Sequence, residues 1–292
     1  MNQEPLVSVL MTAYNREKYI GEAIESVIAS SYTRFELIIV DDCSKDNTVQ
    51  IIERYATKDK RIRFHVNEKN IGDYHNRNKA AGFARGKYLK YLDSDDMIYQ
   101  HGLMDMVAAI EKFPGAAMAM MWIYDDSIKQ PLLCSPEEGL HEYFIENRWL
   151  MVGPTGCIYS KDIFFRLGGF SGRTYISDFE FNMKCALRYP VVKMPNGLVF
   201  YRVHDHQQGW ESGHTKTFRK LLYKFQSEVL NHELCPLREE DRRAAFRKIN
   251  KLQARRALFY FLRTLNIKES YSLIKDSGLG WKNFVRGLLS FK

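Results

Sequence analysis

Lys87-Tyr88-Leu89-Lys90-Tyr91-Leu92-Asp93-Ser94-Asp95-Asp96 decides how the rest of this chain is read. An alternating apolar run ends in three carboxylates within four residues, just before the apolar Met97. Aligned carboxylates at a strand end repel one another and need a cation, a donor network or open water. A hard divalent ion such as Mg²⁺ or Mn²⁺ takes one or two carboxylates and completes its shell with phosphate oxygens. The plain alternative is a solvated acidic turn, since short motifs recur by chance. Position favours the metal reading, because ligands of open α/β sheets bind beyond the carboxyl ends of the strands.

Working outward, Leu6 to Thr12 and Phe35 to Val40 are short, nearly continuous apolar runs, as expected of strands covered on both faces. Ile62 to Val66 reads as a third strand and Tyr88 to Leu92 as a fourth. Helical spacing appears between them: Tyr19, Ile20, Ala23, Ile24, Val27 and Ile28, then Thr48 to Tyr55, then Tyr74 to Ala84, which Gly86 is expected to close. The pattern β-α-β-α-β-α-β predicts an α/β fold with a mostly parallel sheet and helices on both faces. Beyond residue 98 the pattern continues less cleanly, with a weak helical signal over 125–148. Past Thr215 the chain becomes helical and basic. The expected division is therefore 1–212, split into halves at 98, followed by a helical extension over 213–292.

Composition narrows the function. At 292 residues and 45% hydrophobic, the chain can bury a sizeable core. Its longest uninterrupted apolar run, Ala116 to Tyr124, is far too short to span a bilayer. No secretory leader is expected, and five scattered cysteines without CxxC spacing read as reduced thiols of a cytoplasmic protein. The net charge of +8 sits in the tail: from Pro236 onward there are fourteen Lys/Arg against five Asp/Glu, so 14 − 5 = +9 there and 8 − 9 = −1 elsewhere. Such a tail suits an anionic surface. Its apolar positions, Phe246, Ile249, Leu252, Ala257, Leu258, Tyr260, Phe261 and Leu265, then Trp281, Phe284, Leu288, Leu289 and Phe291, serve either packing within the protein or peripheral contact with an anionic membrane. No nucleic-acid motif accompanies the charge.

Three strand ends, at 12–16, 41–46 and 93–96, fall on one edge of the expected sheet. The first strand–helix turn lacks G-x-G-x-x-G, and G-x-x-x-x-G-K-[ST] is absent, so dinucleotide-dependent dehydrogenases and P-loop NTPases are excluded. A nucleotide site built from an aromatic ring, carboxylates and a metal remains.

Four blocks now carry a resemblance. Ser8-Val9-Leu10-Met11-Thr12-Ala13-Tyr14-Asn15, Val40-Asp41-Asp42-Cys43-Ser44-Lys45-Asp46-Asn47-Thr48, Asn70-Ile71-Gly72 with Arg77-Asn78, and Leu92-Asp93-Ser94-Asp95-Asp96 occur in an order and spacing that resemble the family two glycosyltransferases of GT-A fold, over roughly residues 5–210. The resemblance implies an inverting, metal-dependent enzyme using Mn²⁺ or Mg²⁺, fed by a nucleotide-sugar donor and serving a glycan or lipid-linked glycan acceptor. It implies nucleotide contacts from Thr12, Tyr14, Arg16, Asp42, Arg77, Asp93 and Ser94. Tyr14 would stack on the base, Asp42 would accept the uracil N3–H, Arg77 would reach the diphosphate and Asp93 would sit near the ribose. Asp95 would be the metal ligand, with Asp96 supporting the loop.

In the second half, Ser177-Asp178-Phe179-Glu180 corresponds to a block in which relatives show Glu-Asp-x-Glu or Glu-Asp-x-Asp. Asp178 would then be the catalytic base, and Ser177 replaces the first acid. Asp178 and Glu180 also suit the first turn of a helix, where they complement its dipole. Gly168-Gly169-Phe170 matches a positioning turn, and Gly153-Pro154-Thr155-Gly156 would line the acceptor side. Tyr201-Arg202-Val203-His204 matches the closing Tyr-Arg-x-His block, with His204 a metal or phosphate partner. Two alternatives stay open: a catalytically inactive nucleotide-sugar-binding or scaffold protein of the same fold, suggested by Ser177, and a sugar-1-phosphate nucleotidyltransferase, which should carry a Gly-rich first loop.

Overall fold

A computed structural model describes residues 4–122, 128–204 and 216–289. Its chain divides into two units, Met1–Ser135 with Leu150–His204, and Pro136–Trp149 with Asp205–Lys292. The boundary expected near residue 212 lies outside the described residues.

The first unit opens with β1 (Val7–Ala13), α1 (Ile20–Ile28), β2 (Phe35–Asp41), α2 (Thr48–Ala56), β3 (Ile62–Val66), α3 (Asp73–Gly82) and β4 (Tyr88–Tyr91). It continues with β5 (Met97–Ile98), α4 (Gly102–Glu111), β6 (Met118–Met121) and β7 (Leu132–Cys134). The eight-stranded sheet has the order β3-β2-β1-β4-β8-β6-β9-β7, where β8 is Cys157–Ser160 and β9 is Val191–Met194. β1, β2, β3 and β4 run parallel. β8 is antiparallel to both β4 and β6, and β9 returns parallel to β6. Two helices of this half, α6 (Lys161–Arg166) and α7 (Ser177–Ala186), precede β9, and β10 (Val199–Phe200) pairs with β5. The chain passes outward from β1 through β2 to β3, then returns to place β4 on the other side of β1. That switch point opens a crevice beyond the strand ends.

Side-chain alternation assigns the two sheet faces. Val9, Met11, Leu37 and Ile39 join Ile20, Ala23, Ile24 and Val27 of α1 in one core, continued by Leu103, Met106 and Ile110 of α4. The α1 residues recur at helical spacing, which is why that helix forms where it does. The opposite face carries α3, packed on β1 and β2, and an aromatic cluster of Tyr91, Tyr159, Phe164, Phe170 and Phe181 with ring centroids 4.7–6.3 Å apart.

Gly86 has a different role from the one expected. α3 ends at Gly82, and Gly86 instead lets the chain pass against β1: a Cβ there would lie 2.6 Å from both the Leu6 carbonyl oxygen and the Ser8 nitrogen. Close approach, not helix termination, demands the glycine.

The second unit holds α5 (Pro136–His141), which continues into a π-helical turn at Glu142–Glu146. Among the described residues four more helices follow: α8 (Lys216–Asn231), α9 (Glu239–Thr264), α10 (Ile267–Lys275) and α11 (Trp281–Leu289). α10 and α11 both pack on α9. Gly287 fits there because a Cβ would come within 2.9 Å of the Asn250 carbonyl oxygen and the Ala254 methyl. No described helix is long and apolar enough to cross a membrane.

Candidate active site

The three carboxylates after β4 converge. Asp93, Asp95 and Asp96 can each offer one oxygen such that all lie within 4.8 Å of one another. Basic side chains surround them. Asp93 Oδ1 accepts from Arg77 Nη1 at 2.7 Å. Asp95 Oδ2 lies 3.0 Å from His204 Nε2 and 3.3 Å from Arg16 Nε. Asp96 is buried and accepts the Arg202 amide at 3.0 Å. Burial pushes its carboxyl up to about 7, with the charges of Asp93 and Asp95 adding to the rise. Three carboxylates converging on one point make an all-oxygen set that suits a hard divalent cation, so these residues fit Mg²⁺ or Mn²⁺. Ser94, between them, is buried.

Lys90, fully buried in β4, reinforces this strand end. Its ammonium donates to the Tyr91 carbonyl at 2.7 Å and to the Thr155 carbonyl. Thr155 Oγ1 in turn accepts the Asp93 amide at 3.0 Å. Burial pulls the Lys90 amine down to about 8, opposed by Cys157 and then by Asp93 and Asp96. The 3₁₀ turn Pro154–Gly156 is thereby tied to the carboxylate loop.

The loops after β1 and β2 form the adjoining wall by clasping each other. Ser44 Oγ accepts the Asn15 amide at 2.8 Å, Asn15 Oδ1 accepts the Lys45 amide at 2.8 Å, and Thr48 Oγ1 accepts the Arg16 amide at 2.7 Å. Asn15 and Cys43 take left-handed backbone conformations, φ 54° and 67°, which the clasp sustains. Tyr14 is 44% exposed, a ring free to meet a flat partner and not a core plug. Thr12 is partly buried just behind it. Asp42 is buried and heavily engaged: Oδ1 accepts Asn67 Nδ2 at 2.7 Å and the Ile71 amide at 2.9 Å, and Oδ2 accepts the Gly72 amide at 2.9 Å. A carboxylate has about four acceptor positions, so one remains on Oδ2. Asp42 therefore anchors the Asn70-Ile71-Gly72 turn whatever else it binds.

Asp178 opens α7. Its Oδ1 accepts the Tyr74 hydroxyl at 3.1 Å and the Phe179 amide at 2.8 Å. Burial raises its carboxyl above the usual range, and those two donors oppose the rise. Glu180 is committed elsewhere, to Arg173 Nη1 at 2.7 Å and to the Ser171 hydroxyl. Ser177 Oγ accepts the Gly172 amide at 3.0 Å and lies 3.0 Å from Ser171 Oγ. The substituted serine thus fastens the loop that precedes Asp178.

One turn of α3 joins the two carboxylate centres. Tyr74 reaches Asp178, and Arg77, three residues on and hence on the same face, reaches Asp93 and Asp73. Burial works against the Arg77 charge, yet Asp73 and Asp93 hold it well above its ordinary value. The closing block is bound in as well. Arg202 Nε donates to the Asp95 carbonyl at 3.0 Å and its guanidinium lies over the Tyr19 ring, which stacks on His204 at 4.8 Å. Tyr74, Tyr19 and Lys90 were not singled out from the sequence. For Tyr74, the i, i+3 spacing to Arg77 was the available signal.

A mostly parallel sheet with a switch point, an acidic cluster at that point and a second carboxylate across one helix turn suit a transferase. The family model described as Glycosyl transferase family 2 matches residues 8–166, and the chain belongs to that family. It is 34% identical over 209 residues to an uncharacterized glycosyltransferase of Methanocaldococcus jannaschii, covering 68% of this chain and 71% of that protein. It is 45% identical over 95 residues to a putative teichuronic acid biosynthesis glycosyltransferase, TuaG, of Bacillus subtilis, covering 32% of this chain and 38% of that one. Among solved structures, S. aureus TarS 1–349 in complex with UDP-GlcNAc superposes with a TM-score of 0.71 at 22% identity, covering 97% of this chain and 81% of that one. A mannosyltransferase from Pyrobaculum calidifontis in complex with GDP-Man and Mn²⁺ gives a TM-score of 0.60 at 15% identity, covering 100% and 89%. These last two likenesses establish the GT-A fold.

Proposed function

We propose that this glycosyltransferase is inverting and metal-dependent, and that it moves a hexosyl or N-acetylhexosaminyl group from a UDP-sugar to a hydroxyl of a glycan or lipid-linked glycan. The observation that carries the reading is the joining of Asp93 and Asp178 through one turn of α3. In this proposal Tyr14 stacks on the base, the remaining acceptor position of Asp42 takes the uracil N3–H, and Asp93 and Ser94 meet the ribose. Thr12 lines the nucleotide pocket, and Arg16 and Arg77 face the diphosphate. Asp95, with His204 beside it, holds the Mn²⁺ or Mg²⁺, which when bound supplies positive charge to the leaving diphosphate.

Asp178 takes the proton of the acceptor hydroxyl as its oxygen attacks the anomeric carbon. The bond from that carbon to the diphosphate oxygen breaks on the opposite face, and UDP leaves. A carboxyl raised by burial is more basic than an ordinary one, which suits a group that must accept a proton. The donor complexes of the TarS and Pyrobaculum calidifontis structures support the nucleotide-sugar part of the reading.

The catalytic domain is taken as 1–212 and the basic helical extension as 213–292. The protein would act at the cytoplasmic side of a membrane, touching anionic lipid through exposed Phe259, Leu262, Trp281 and Leu289 beside the basic residues of α9–α11.

The test is thermal shift across UDP-, GDP- and dTDP-sugars with Mn²⁺, followed by transfer assays on the donor found. A Mn²⁺-dependent shift for one UDP-sugar is expected, abolished by Asp95→Ala, with transfer lost on Asp178→Ala. Wild-type transfer by both variants would sink the proposal.

A further inference from the structure

We infer that Asn67 is a positioning residue that sets base selectivity at Asp42, and that Lys79 fixes which way its amide points; this rests on the proposed contact between Asp42 and the uracil N3–H. Register puts Asn67 where it can act. β3 ends at Val66, opposite Asp41 of β2, and the Asn67 amide adds one more rung by donating to the Asp41 carbonyl at 2.9 Å. Asn67 therefore lies beside Asp42, and both are buried, 5% and 3% exposed.

The side chains around it form one polarised chain. Lys79 Nζ donates to Asn67 Oδ1 at 2.7 Å. An ammonium only donates, so the carboxamide oxygen of Asn67 faces Lys79 and its Nδ2 faces the other way. That Nδ2 donates to Asp42 Oδ1 at 2.7 Å and to Asn76 Oδ1 at 2.9 Å. Asn76, 1% exposed, is oriented in turn by giving its own Nδ2 to the Val40 carbonyl at 2.9 Å. Asn76 and Lys79 are one turn apart on α3, so a single helix face supplies both of these contacts to Asn67.

The consequence falls on Asp42. Asn67 Nδ2 and the Ile71 amide fill both acceptor positions of Oδ1, and the Gly72 amide takes one of the two on Oδ2. As a carboxylate, Asp42 presents only acceptors, so the position left takes an N–H and repels a bare ring nitrogen. Uracil and cytosine differ at that atom: N3 carries hydrogen in uracil and a lone pair in cytosine. With the carboxylate held by donors on both oxygens, cytosine cannot relieve the repulsion by turning it. Removing the Asn67 amide frees a position on Oδ1 and loosens that hold. Reversing the amide sets oxygen against oxygen. Asp42 supplies the contact, and Asn67 makes it selective.

The experiment is calorimetric titration of UDP and of CDP, each with Mn²⁺, into the full chain, read as the ratio of the two affinities. Wild type should prefer UDP. Lys79→Met, at an exposed position, should lower the ratio by about fivefold or more, and Lys79→Arg, which keeps a donor for Asn67 Oδ1, should restore it. Asn67→Leu should lower it at least as far. Loss of a nearby charge weakens both nucleotides alike and cancels in the ratio, so a merely structural or electrostatic part for Lys79 leaves it unmoved. Wild type that binds neither nucleotide, or binds both equally, would remove the base contact of Asp42 and this inference together. A preference for UDP in wild type that Lys79→Met and Asn67→Leu both keep would overturn the inference alone. Should Asn67→Leu fail to fold, since it orphans Asn76 Oδ1, Lys79→Met decides by the same ratio.

Discussion

Replacing Arg77 by Met removes the group that touches both Asp73 and Asp93, at 2.8 and 2.7 Å. The guanidinium side chain is 10% exposed, while the two carboxylates are 38% and 32% exposed. Breaking a fully buried pair by deleting one partner costs about 3–5 kcal/mol. Water can reach both orphaned carboxylates here, so the expected loss is nearer 2 kcal/mol, or roughly 4–8 °C in Tm for a unit of this size. Arg77→Lys should lose less than Arg77→Met but should not match wild type, because an ammonium cannot span both acceptors as the fork does. Differential scanning calorimetry in EDTA gives the first number. A double-mutant cycle gives the second: Asp93→Asn should cost less in the Arg77→Met background than in wild type, by about 1 kcal/mol or more if the pair is coupled. A Tm within 1 °C of wild type for Arg77→Met, together with additive effects of the two substitutions, would refute the coupling that ties α3 to the acidic loop.

Tyr74→Phe removes a donor that opposes the raised carboxyl of Asp178, so that carboxyl should rise further. Because the base works deprotonated, the acid limb of kcat/KM should move to higher pH, and an unmoved profile would detach Tyr74 from the chemistry. The same raised carboxyl means the folded state holds more protons than the unfolded one, so Asp178 costs stability as pH rises above the ordinary carboxylate range; Asp178→Asn should therefore raise Tm at pH 8 and leave it nearly unchanged at pH 3. Arg16→Gln frees Asp95 Oδ2 of its ion pair, so Mn²⁺ alone should bind severalfold more tightly by titration calorimetry while the UDP-sugar binds more weakly; unchanged metal affinity would remove Arg16 from the cluster's electrostatics. Paired Phe259→Ser and Leu262→Ser changes should abolish co-sedimentation with phosphatidylglycerol vesicles if the exposed apolar positions of α9 insert, and retained binding would leave charge alone as the attraction.

The order and type of the early elements were legible because β1 and β2 bury nearly every residue, and a strand covered on both faces shows as an unbroken apolar run. α1 was equally readable from its buried residues at helical spacing. The limits of reading are visible at Gly86, where the need for glycine lies in a contact with β1 that is distant in sequence. Lys90 is a second case. Alternation along an isolated strand cannot tell a lysine in solvent from one whose ammonium is capped by two carbonyls, since the second carbonyl, of Thr155, lies 65 residues away in the chain. The segment over 125–148 carried only a weak helical signal, and a short helix passing into a π-helical turn has no single period to display.

The roles of neighbouring acids could not be separated by spacing either. Asp41, Asp42, Asp93, Asp95, Asp96, Asp178 and Glu180 all stand at strand ends or in a first helical turn, yet their partners divide them sharply. Asp41 is spent on the Ser44 amide and hydroxyl, and Glu180 on Arg173 and Ser171. Those acids shape loops. Asp93 and Asp95 instead meet basic side chains from elements distant in sequence, Arg77 from α3, Arg16 from the loop after β1 and His204 from the closing block. A cation bound by such carboxylates replaces interactions that already exist, so its affinity is set by competition with Arg16 and Arg77 as much as by the carboxylates themselves. A diphosphate that drew Arg16 and Arg77 toward itself would release Asp93 and Asp95 to the metal. In the proposed reaction donor and metal binding would therefore be coupled through these arginines, and each should strengthen the other by the same factor.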